Sequence, residues 1–332
     1  MGSVHKEFWL LKLQLLLKRI EYKGINGDLT FVLLFMIEIN PGDISIQRLH
    51  HFLLAAVGPR PIALASTVNE EGAPNLAPFS FFNVFSANPP ILIFSPARSG
   101  RTNSLKDTYH NVKAIPEVVI NVVTYSIAEA VSLASSPYPH GVSEFEKSGL
   151  SPIASDRIRP YRVKESPVQF ECKVNQVIEL GAEGGAGNLI ICEVLKLHIE
   201  ASILDSDGMI DPLKIDLVSR MGGDWYCRAN PESMFEIKKP ITSCGIGFDA
   251  LPLDIKNSKV LSPQDLARLA GITSLPNETE VNEYKLTELS ETFLTFQDNA
   301  RALEDALHAH AKNLLRHHHI EEAWLTLLSF NN

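Results

Sequence analysis

Residues 58–90 read GPRPIALASTVNEEGAPNLAPFSFFNVFSANPP, and this stretch decides the fold class. Residues 61–68 are small or β-branched, which favours a strand, and the NEEG sequence at 69–72 predicts a hairpin turn. The second strand is predicted over residues 75–84, where polar residues and phenylalanines are mixed. Such a segment can offer backbone N–H and C=O groups and aromatic walls to a planar ligand. The alternative is an edge strand with packed phenylalanines.

Further strands are predicted along the chain to about residue 201. Residues 91–95 and 118–124 are apolar runs, and residues 168–180 and 188–201 are expected to pair across the glycine-rich turn 181–187. Many short strands separated by turns favour a β-barrel over a doubly wound sheet. A short helix or turn is predicted over residues 37–54, before the first strand, and helices are predicted to interrupt the strands at the ranges 102–111, 126–135 and 144–149.

The sequence after Pro240 predicts a helical extension. Ser262 followed by Pro263 is a helix start signal for residues 263–270. Residues 287–330 are predicted to be mostly helical, because apolar residues recur every seven positions. This heptad seam predicts a packing element that lies lengthwise on another helix or on the barrel. The seam consists of Leu286, Phe293, Ala300, Leu307 and Leu314, with Leu289, Phe296, Leu303 and His310 three positions later.

The first 35 residues form an extension of doubtful function. The apolar runs at residues 8–20 and 31–36 are each too short or too charged to span a bilayer, and no signal-peptide cleavage site follows them. One interpretation is an amphipathic helix that lies on a partner or a membrane. The other, which we favour, is that Met36 is the natural start. The predicted division is therefore 1–35, 36–240 and 241–332.

Composition restricts the classes of partner. The net charge of −9 argues against nucleic acid as the main partner, because phosphate backbones are bound by basic surfaces. The four cysteines have no metal-ligand spacing, so they are predicted to be buried or half-buried free thiols in the cytoplasm. The three consecutive residues His317, His318 and His319 cannot converge on one ion from a helix, so no metal site is predicted. Together with His308 and His310, they are expected on a solvated helix face.

Two other segments carry residues suited to an anionic ligand. Residues 99–111, SGRTNSLKDTYHN, combine Lys106, Thr108 and a helix start, which together suit a phosphate. The alternative is a surface Lys–Asp pair that caps a helix. Residues 219–229, SRMGGDWYCRA, contain paired glycines that let the backbone approach a flat or crowded group, although a tight turn has the same pattern.

Together these segments resemble the flavin reductase-like FMN-binding split-barrel family, in its flavoredoxin and nitrilotriacetate monooxygenase component B branch. The matching pieces are PRPIALASTVNEEGAPNLAPFSFFN, SLKDTYHN, ASSPYPHGVSEFEKSGL, ESPVQFECKV and GNLIICEVLKLHI. The resemblance covers residues 37–240. It implies a mainly β fold with helices, in which a six-stranded split β-barrel binds FMN near the interface of a homodimer.

The resemblance also assigns residues to the flavin. It places Pro78, Phe79, Ser80, Phe81, Phe82 and Asn83 along the isoalloxazine ring, and Ser95 beside the ring or the ribityl chain. It places Lys106, Asp107 and Thr108 at the phosphate, with Arg60, Thr67 and Asn111 as further contributors. Arg220, Gly222 and Gly223 are expected to approach the flavin from the other subunit. No catalytic side chain is assigned, because FMN carries the chemistry.

Three functions follow as hypotheses. The first is an NAD(P)H-dependent oxidoreductase that passes electrons through FMN to free flavin, oxygen or a monooxygenase partner. The second is a flavoredoxin-like electron carrier reduced by a protein, since the Gly-Asp-His motif that helps many flavin reductases to place NADH or NADPH is missing from MGGDWY. His140, in the YPHG loop, is the one histidine near a matching motif: it is either a solvated loop residue, which we favour, or a contact to the nicotinamide. The third is a non-enzymatic interaction protein that acts through the helical tail.

Overall fold

The computed structural model describes residues 21–23, 29–31, 36–139, 141–237 and 243–331. The predicted extension 1–35 lies outside these residues except for the backbone of two short strands. The chain divides into two compact units, Met1–Phe235 and Glu236–Asn332. Among the described residues, no helix is long and apolar enough to cross a membrane.

The first unit holds the strands of the described chain. They are β1 Glu21–Lys23, β2 Leu29–Phe31, β3 Arg60–Pro61, β4 Ala63–Val68, β5 Pro74–Phe79, β6 Phe82–Ala87, β7 Pro90–Phe94, β8 Glu117–Val122, β9 Pro152–Ile153, β10 Arg162–Val163, β11 Val168–Glu179, β12 Asn188–Ile199, β13 Val218–Arg220 and β14 Tyr226–Arg228. The main sheet has the order β5-β4-β8-β11-β12-β7-β6, and all its pairs are antiparallel. The predicted hairpins β4–β5 and β11–β12 are confirmed.

The main sheet has seven strands where the resemblance implies six, and in the described chain its end strands β5 and β6 do not pair with each other, so the sheet does not close into the predicted barrel. The difference arises because the predicted strand over residues 75–84 is interrupted at Ser80 and Phe81. Its first half, β5, pairs with β4, and its second half, β6, pairs with β7. β5 and β6 are the two end strands of the sheet, so the interruption at Ser80 and Phe81 carries the chain from one end of the sheet to the other.

Alternation along β4 divides the core of the first unit into two clusters. Ala63 and Ala65 pack with Phe94 and other side chains of one cluster, whereas Leu64 packs with Leu76 in the other. Successive side chains of a strand point to opposite faces, so one strand contributes to both clusters. The sheet is therefore buried on both faces at this point.

Short helices surround the sheet. They are α1 Ile46–Ala56, α2 Asp107–Ala114, α3 Ala128–Ala134 and α4 Glu144–Ser148, with 3-10 turns at Pro41–Asp43, Tyr125–Ile127 and Ala201–Ile203. The helix predicted over residues 102–111 begins only at Asp107. The preceding loop forms its own turn, in which the Ser99 hydroxyl accepts from the backbone N–H groups of Arg101 and Thr102, and Asn103 has a φ of 56°.

The second unit is helical, as predicted. Its helices are α5 Leu253–Lys256, α6 Pro263–Leu269, α7 Glu278–Thr287, α8 Ser290–Thr295, α9 Ala300–Arg316 and α10 Ile320–Leu328. The predicted N-cap of α6 is confirmed, because the Ser262 hydroxyl accepts from Asp265 N while the Asp265 carboxylate accepts from Ser262 N.

The prediction of one long heptad helix is wrong. The chain breaks between α8 and α9, where the Asn299 side chain caps α9, and again at 317–319, where His318 has a φ of 63°. Leu307 of the predicted seam is fully buried, but Leu286 is 75% exposed. The sevenfold recurrence is therefore divided among several short helices, and it does not form one continuous face.

Candidate functional site

The aromatic segment, residues 78–83, lies at the break between β5 and β6. The Phe79 ring packs on Phe94 at 5.4 Å between centroids, and the Phe81 carbonyl accepts from Ser95 N at 2.9 Å. Phe81 is 39% exposed and Phe82 packs on the main core cluster. The structure therefore brings the predicted residues of this segment together with Ser95.

Both strands that flank the break are at ends of the main sheet. In the described chain β5 pairs only with β4 and β6 only with β7. An end strand leaves part of its N–H and C=O groups unpaired along its outer edge. Pro78 lies on β5, and Asn83, which lies on β6, is exposed, with its Oδ1 accepting from Val84 N at 2.8 Å. This edge can supply the main-chain hydrogen bonds that a heteroaromatic ligand needs.

A buried polar cluster joins three of the predicted residues. Asn75 Nδ2 donates to Thr67 Oγ1 at 3.2 Å and to Thr108 Oγ1 at 3.0 Å, and Asn111 Nδ2 donates to Thr67 Oγ1 at 3.0 Å. All four side chains are at most 9% exposed. Asn75 was not among the predicted site residues, because a polar residue after a hairpin turn is common on any surface.

The start of α2 carries the residues predicted for the phosphate. Lys106 is the exposed N-cap residue, Asp107 is half-buried in the first turn, and the Thr108 side chain is buried just behind them. The first N–H groups of a helix have no partner within the helix, and the helix dipole favours an anion there. The arrangement is chemically suited to a phosphate.

Glu144 is a second acidic group near this helix start, and no specific pattern in the sequence singled it out. Its carboxylate accepts from Leu76 N at 3.0 Å. Burial raises the pKa of the Glu144 carboxyl, the hydrogen bond from Leu76 N partly offsets this, and the nearby Asp107 raises the pKa further. Glu144 therefore takes up a proton more readily than an exposed carboxyl group, which lessens the repulsion of an anion at α2.

Arg60 is buried inside the protein, although the sequence pointed to it as a charge for the ligand. Its guanidinium donates to the carbonyl groups of Leu54 (2.5 Å), Val57 and Met221 (2.8 Å), and its Nε lies 3.5 Å from the Ser80 hydroxyl. The side chain is 6% exposed. Burial, and then the charge of Arg220, lowers its pKa. These contacts leave little of the guanidinium for a phosphate.

The β13–β14 hairpin holds the other predicted residues. Arg220 stacks on Tyr226 at 4.5 Å and donates to the Gly223 carbonyl at 2.8 Å. A Cβ on Gly222 would lie 2.9 Å from Ala55 of α1, so only glycine allows this approach. Gly223 has a φ of 59°, which favours glycine. Packing against Ala55 explains the glycine at position 222 and backbone conformation explains the glycine at position 223, so neither requires a ligand contact.

Three histidine predictions have different outcomes. His140 lies outside the described residues. His317, His318 and His319 are exposed. His308 was predicted on a solvated helix face, which is wrong: it is 2% exposed, its Nδ1 lies 2.7 Å from the Ser258 hydroxyl, and burial lowers its pKa.

A further charged cluster lies on β11 and β12. The buried Glu171 carboxylate accepts from Asp156 N (2.9 Å), Arg157 N (2.6 Å) and His198 Nε2 (2.6 Å). Burial would raise the pKa of Glu171, but these hydrogen bonds outweigh it and lower that pKa. The Asp156, Glu171 and His198 ligand atoms lie within 4.8 Å of one another, as in metal sites. However, Lys196 already pairs with Asp156, so the negative charge is balanced by protein groups.

The cysteines are free thiols, as predicted, although they differ in exposure. Cys172 and Cys192 are buried in the main core cluster, Cys227 is half-buried, and Cys244 is exposed, which the prediction did not include. Burial raises the pKa of both buried thiols far above the ordinary value, so they are packing residues.

Comparison with known proteins identifies the family. A family model described as "Flavin reductase like domain" matches residues 57–213. An uncharacterized protein of Aquifex aeolicus is 34% identical over 203 residues, which are 61% of this chain and 99% of that protein. The uncharacterized protein BH2278 of Halalkalibacterium halodurans is 36% identical over 208 residues, which are 62% of this chain and 98% of that protein.

Solved structures agree with this match. Nitrilotriacetate monooxygenase component B from Bacillus cereus is 30% identical, with a TM-score of 0.57 over 61% of this chain and 98% of its own. The 2-nitrobenzoate 2-nitroreductase of Pseudomonas fluorescens is 26% identical, with a TM-score of 0.54 over 63% and 100%. With the motifs and the sheet described above, these matches show that the chain belongs to the flavin reductase-like family.

Proposed function

We propose that this protein is an FMN-binding oxidoreductase that takes electrons from NADH or NADPH and passes them on through the flavin. The observation that carries the proposal is the break at Ser80 and Phe81, where aromatic side chains lie beside the outer edges of β5 and β6, which are unpaired in the described part of the chain. The family match supports a flavin as the ligand, and the similar proteins named above include a nitroreductase and a monooxygenase component.

The residues present fit FMN. The aromatic segment and Ser95 would hold the isoalloxazine ring, and Lys106 with the start of α2 would hold the phosphate. When bound, FMN supplies the capacity to accept and release electrons. The protein positions the ring and offers hydrogen-bond donors that stabilise negative charge on it. Since no side chain has to act as an acid or base, the proposal needs no catalytic dyad.

The remaining parts of the proposal concern assembly and location. A homodimer with the flavin near its interface, as the resemblance implies, would explain why Val84 and Phe85 of β6 are 63% and 64% exposed. Arg220, Gly222 and Gly223 would then face the flavin of the partner subunit. We place the protein in the cytoplasm, because free thiols persist in a reducing compartment.

An electron carrier reduced by another protein is the second candidate. The β13–β14 turn carries Trp225, which is 77% exposed, where a histidine would help to bind nicotinamide. Anaerobic stopped-flow mixing with NADH, NADPH and dithionite separates the two candidates. Rapid bleaching of the flavin by either nicotinamide supports the reductase. Bleaching by dithionite alone contradicts it and supports the carrier.

A further inference from the structure

Arg60 connects three segments that are far apart in the sequence. Its Nη1 donates to the carbonyl groups of Leu54 and Val57 at the end of α1, and its Nη2 donates to Met221 in the β13–β14 turn. Its Nε faces Ser80 in the aromatic segment at 3.5 Å. Arginine suits this position because its planar guanidinium presents five donors in a fixed geometry.

The surroundings of Arg60 are electrostatically unfavourable for a purely stabilising residue. Arg220 lies directly opposite Arg60 in the β3–β13 pairing, and like charges at such positions destabilise a sheet. Within the described part of the chain, no carboxylate lies within 4 Å of the Arg60 guanidinium. The positive charge of Arg60 is instead compensated by the C-terminal end of α1, where the helix dipole places partial negative charge on the carbonyl groups.

Helix α1 lies along the candidate site without a buried face. A Cβ on Gly185 would approach Ile46 to 3.3 Å, the His50 ring lies 6.3 Å from the Phe81 ring, and Ala55 packs on Gly222. None of its residues is buried. A short helix without a packed face gains little stability from its own backbone, so its position depends on these few contacts.

We propose that Arg60 is a positioning residue that holds α1 against Phe81 and the β13–β14 turn, so that α1 forms the outer wall of the flavin site. This inference rests on the proposed function, because it assumes that the aromatic segment contacts the flavin. It differs from the expectation that Arg60 binds the phosphate. Loss of a wall that contacts the isoalloxazine ring would weaken the binding of every flavin. Loss of a side chain that binds the phosphate would weaken the binding of FMN but not of riboflavin.

Titrations with FMN and riboflavin test the proposal, since the two ligands differ only in the phosphate. In Arg60→Gln we expect both dissociation constants to rise by the same factor, about tenfold or more, as for the loss of charged hydrogen bonds. Arg60→Lys keeps the positive charge but lacks the planar guanidinium with its several donors, so it should not restore the affinity for either flavin. The contrasting variant is Lys106→Met, which should weaken FMN and leave riboflavin unchanged.

A second variant moves α1 without changing Arg60. Gly222→Ala places a Cβ 2.9 Å from Ala55 and should weaken both flavins equally. Its matched control is Gly42→Ala, because a Cβ there meets nothing within 4 Å and should have no effect. Hydrogen exchange of the flavin-free Arg60→Gln protein should be faster in residues 46–56 and unchanged in β11 and β12, which also shows that the variant is folded.

The outcomes are distinct. If Arg60→Gln loses affinity for FMN alone, Arg60 is a phosphate ligand and the proposal is overturned. Wild-type affinities for both flavins in that variant, or unchanged exchange in α1, would also overturn it. If the wild-type protein binds neither flavin, the proposed function fails first and this inference fails with it.

Discussion

Four buried polar side chains connect the β4–β5 hairpin to α2. Thr67, Asn75, Thr108 and Asn111 hydrogen-bond to one another away from solvent. A buried amide that loses its partner retains the full cost of its desolvation. The position of the predicted phosphate end therefore depends on this polar cluster.

Replacement of Thr67 by valine tests the cluster. The change keeps the shape of the side chain but removes the acceptor of Asn111 and one acceptor of Asn75. We expect the free energy of unfolding to fall by about 1–3 kcal/mol. Urea denaturation followed by circular dichroism measures it, with the exposed Thr102→Val as control. Equal stability of the two variants would show that the cluster contributes nothing.

Glu171 should make stability depend on pH. Its pKa is lowered in the folded protein from the ordinary value of 4.5, so it stabilises the fold above that value. The stabilisation is lost as the pH falls below 4.5 and through the lowered pKa. Glu171→Gln should cost about 3 kcal/mol at pH 7, and the difference should shrink below pH 4.5. A difference that is independent of pH in denaturant titrations contradicts this.

Individual site residues could be predicted only where their chemistry suits a ligand directly. Thr67, Thr108 and Asn111 were recognised separately, but their joint burial with Asn75 depends on the pairing of β4 with β5. The partners of Arg60 are backbone carbonyl groups, which no residue type reveals. For this reason Arg60 was predicted to supply a positive charge to the ligand, whereas in the structure it hydrogen-bonds to backbone carbonyl groups of the protein.

Elements were predictable where short-range signals dominate. The hairpins followed from turn residues, and α6 followed from its cap. The break of the second strand was missed because β5 and β6 pair with different partner strands, β4 and β7, and such long-range pairing is not visible in local propensity. The long C-terminal helix was predicted wrongly because sevenfold recurrence outweighed Asn299, a capping residue that was visible in the sequence.

The capping box of α6 supports a test at this scale. Ser262→Ala removes the acceptor of Asp265 N and should destabilise the second unit by about 1 kcal/mol. Thermal unfolding monitored by tryptophan fluorescence can detect this, because Trp324 is fully buried in that unit. The exposed Ser274→Ala should unfold like the wild type. Identical midpoints for both variants would contradict the assignment of the cap.

At the scale of the molecule, the two units have separate cores. The motifs of the flavin reductase-like region occur only before residue 240, so they predict that this region ends there. No motif in the sequence indicates the function of the second unit, because its recurring apolar residues indicate only that its helices pack. Its exposed Leu286 and Leu294 are consistent with a partner surface, which keeps the interaction hypothesis testable.

Truncation after Phe235 separates the two roles. If the first unit alone holds the flavin, the shortened chain should keep the flavin-to-protein ratio of the full chain. If the helical unit binds a partner, the same truncation should abolish that binding. A shortened chain that is unfolded by circular dichroism would show instead that the second unit is required for the fold.

The most direct test of the account is the visible absorbance spectrum of the purified protein, before and after addition of FMN and gel filtration. The account predicts flavin bands that stay with the protein at about one flavin per chain and that shift when Phe81 is replaced by alanine. A colourless protein that retains no added FMN would contradict the assignment of the break between β5 and β6 as a flavin site.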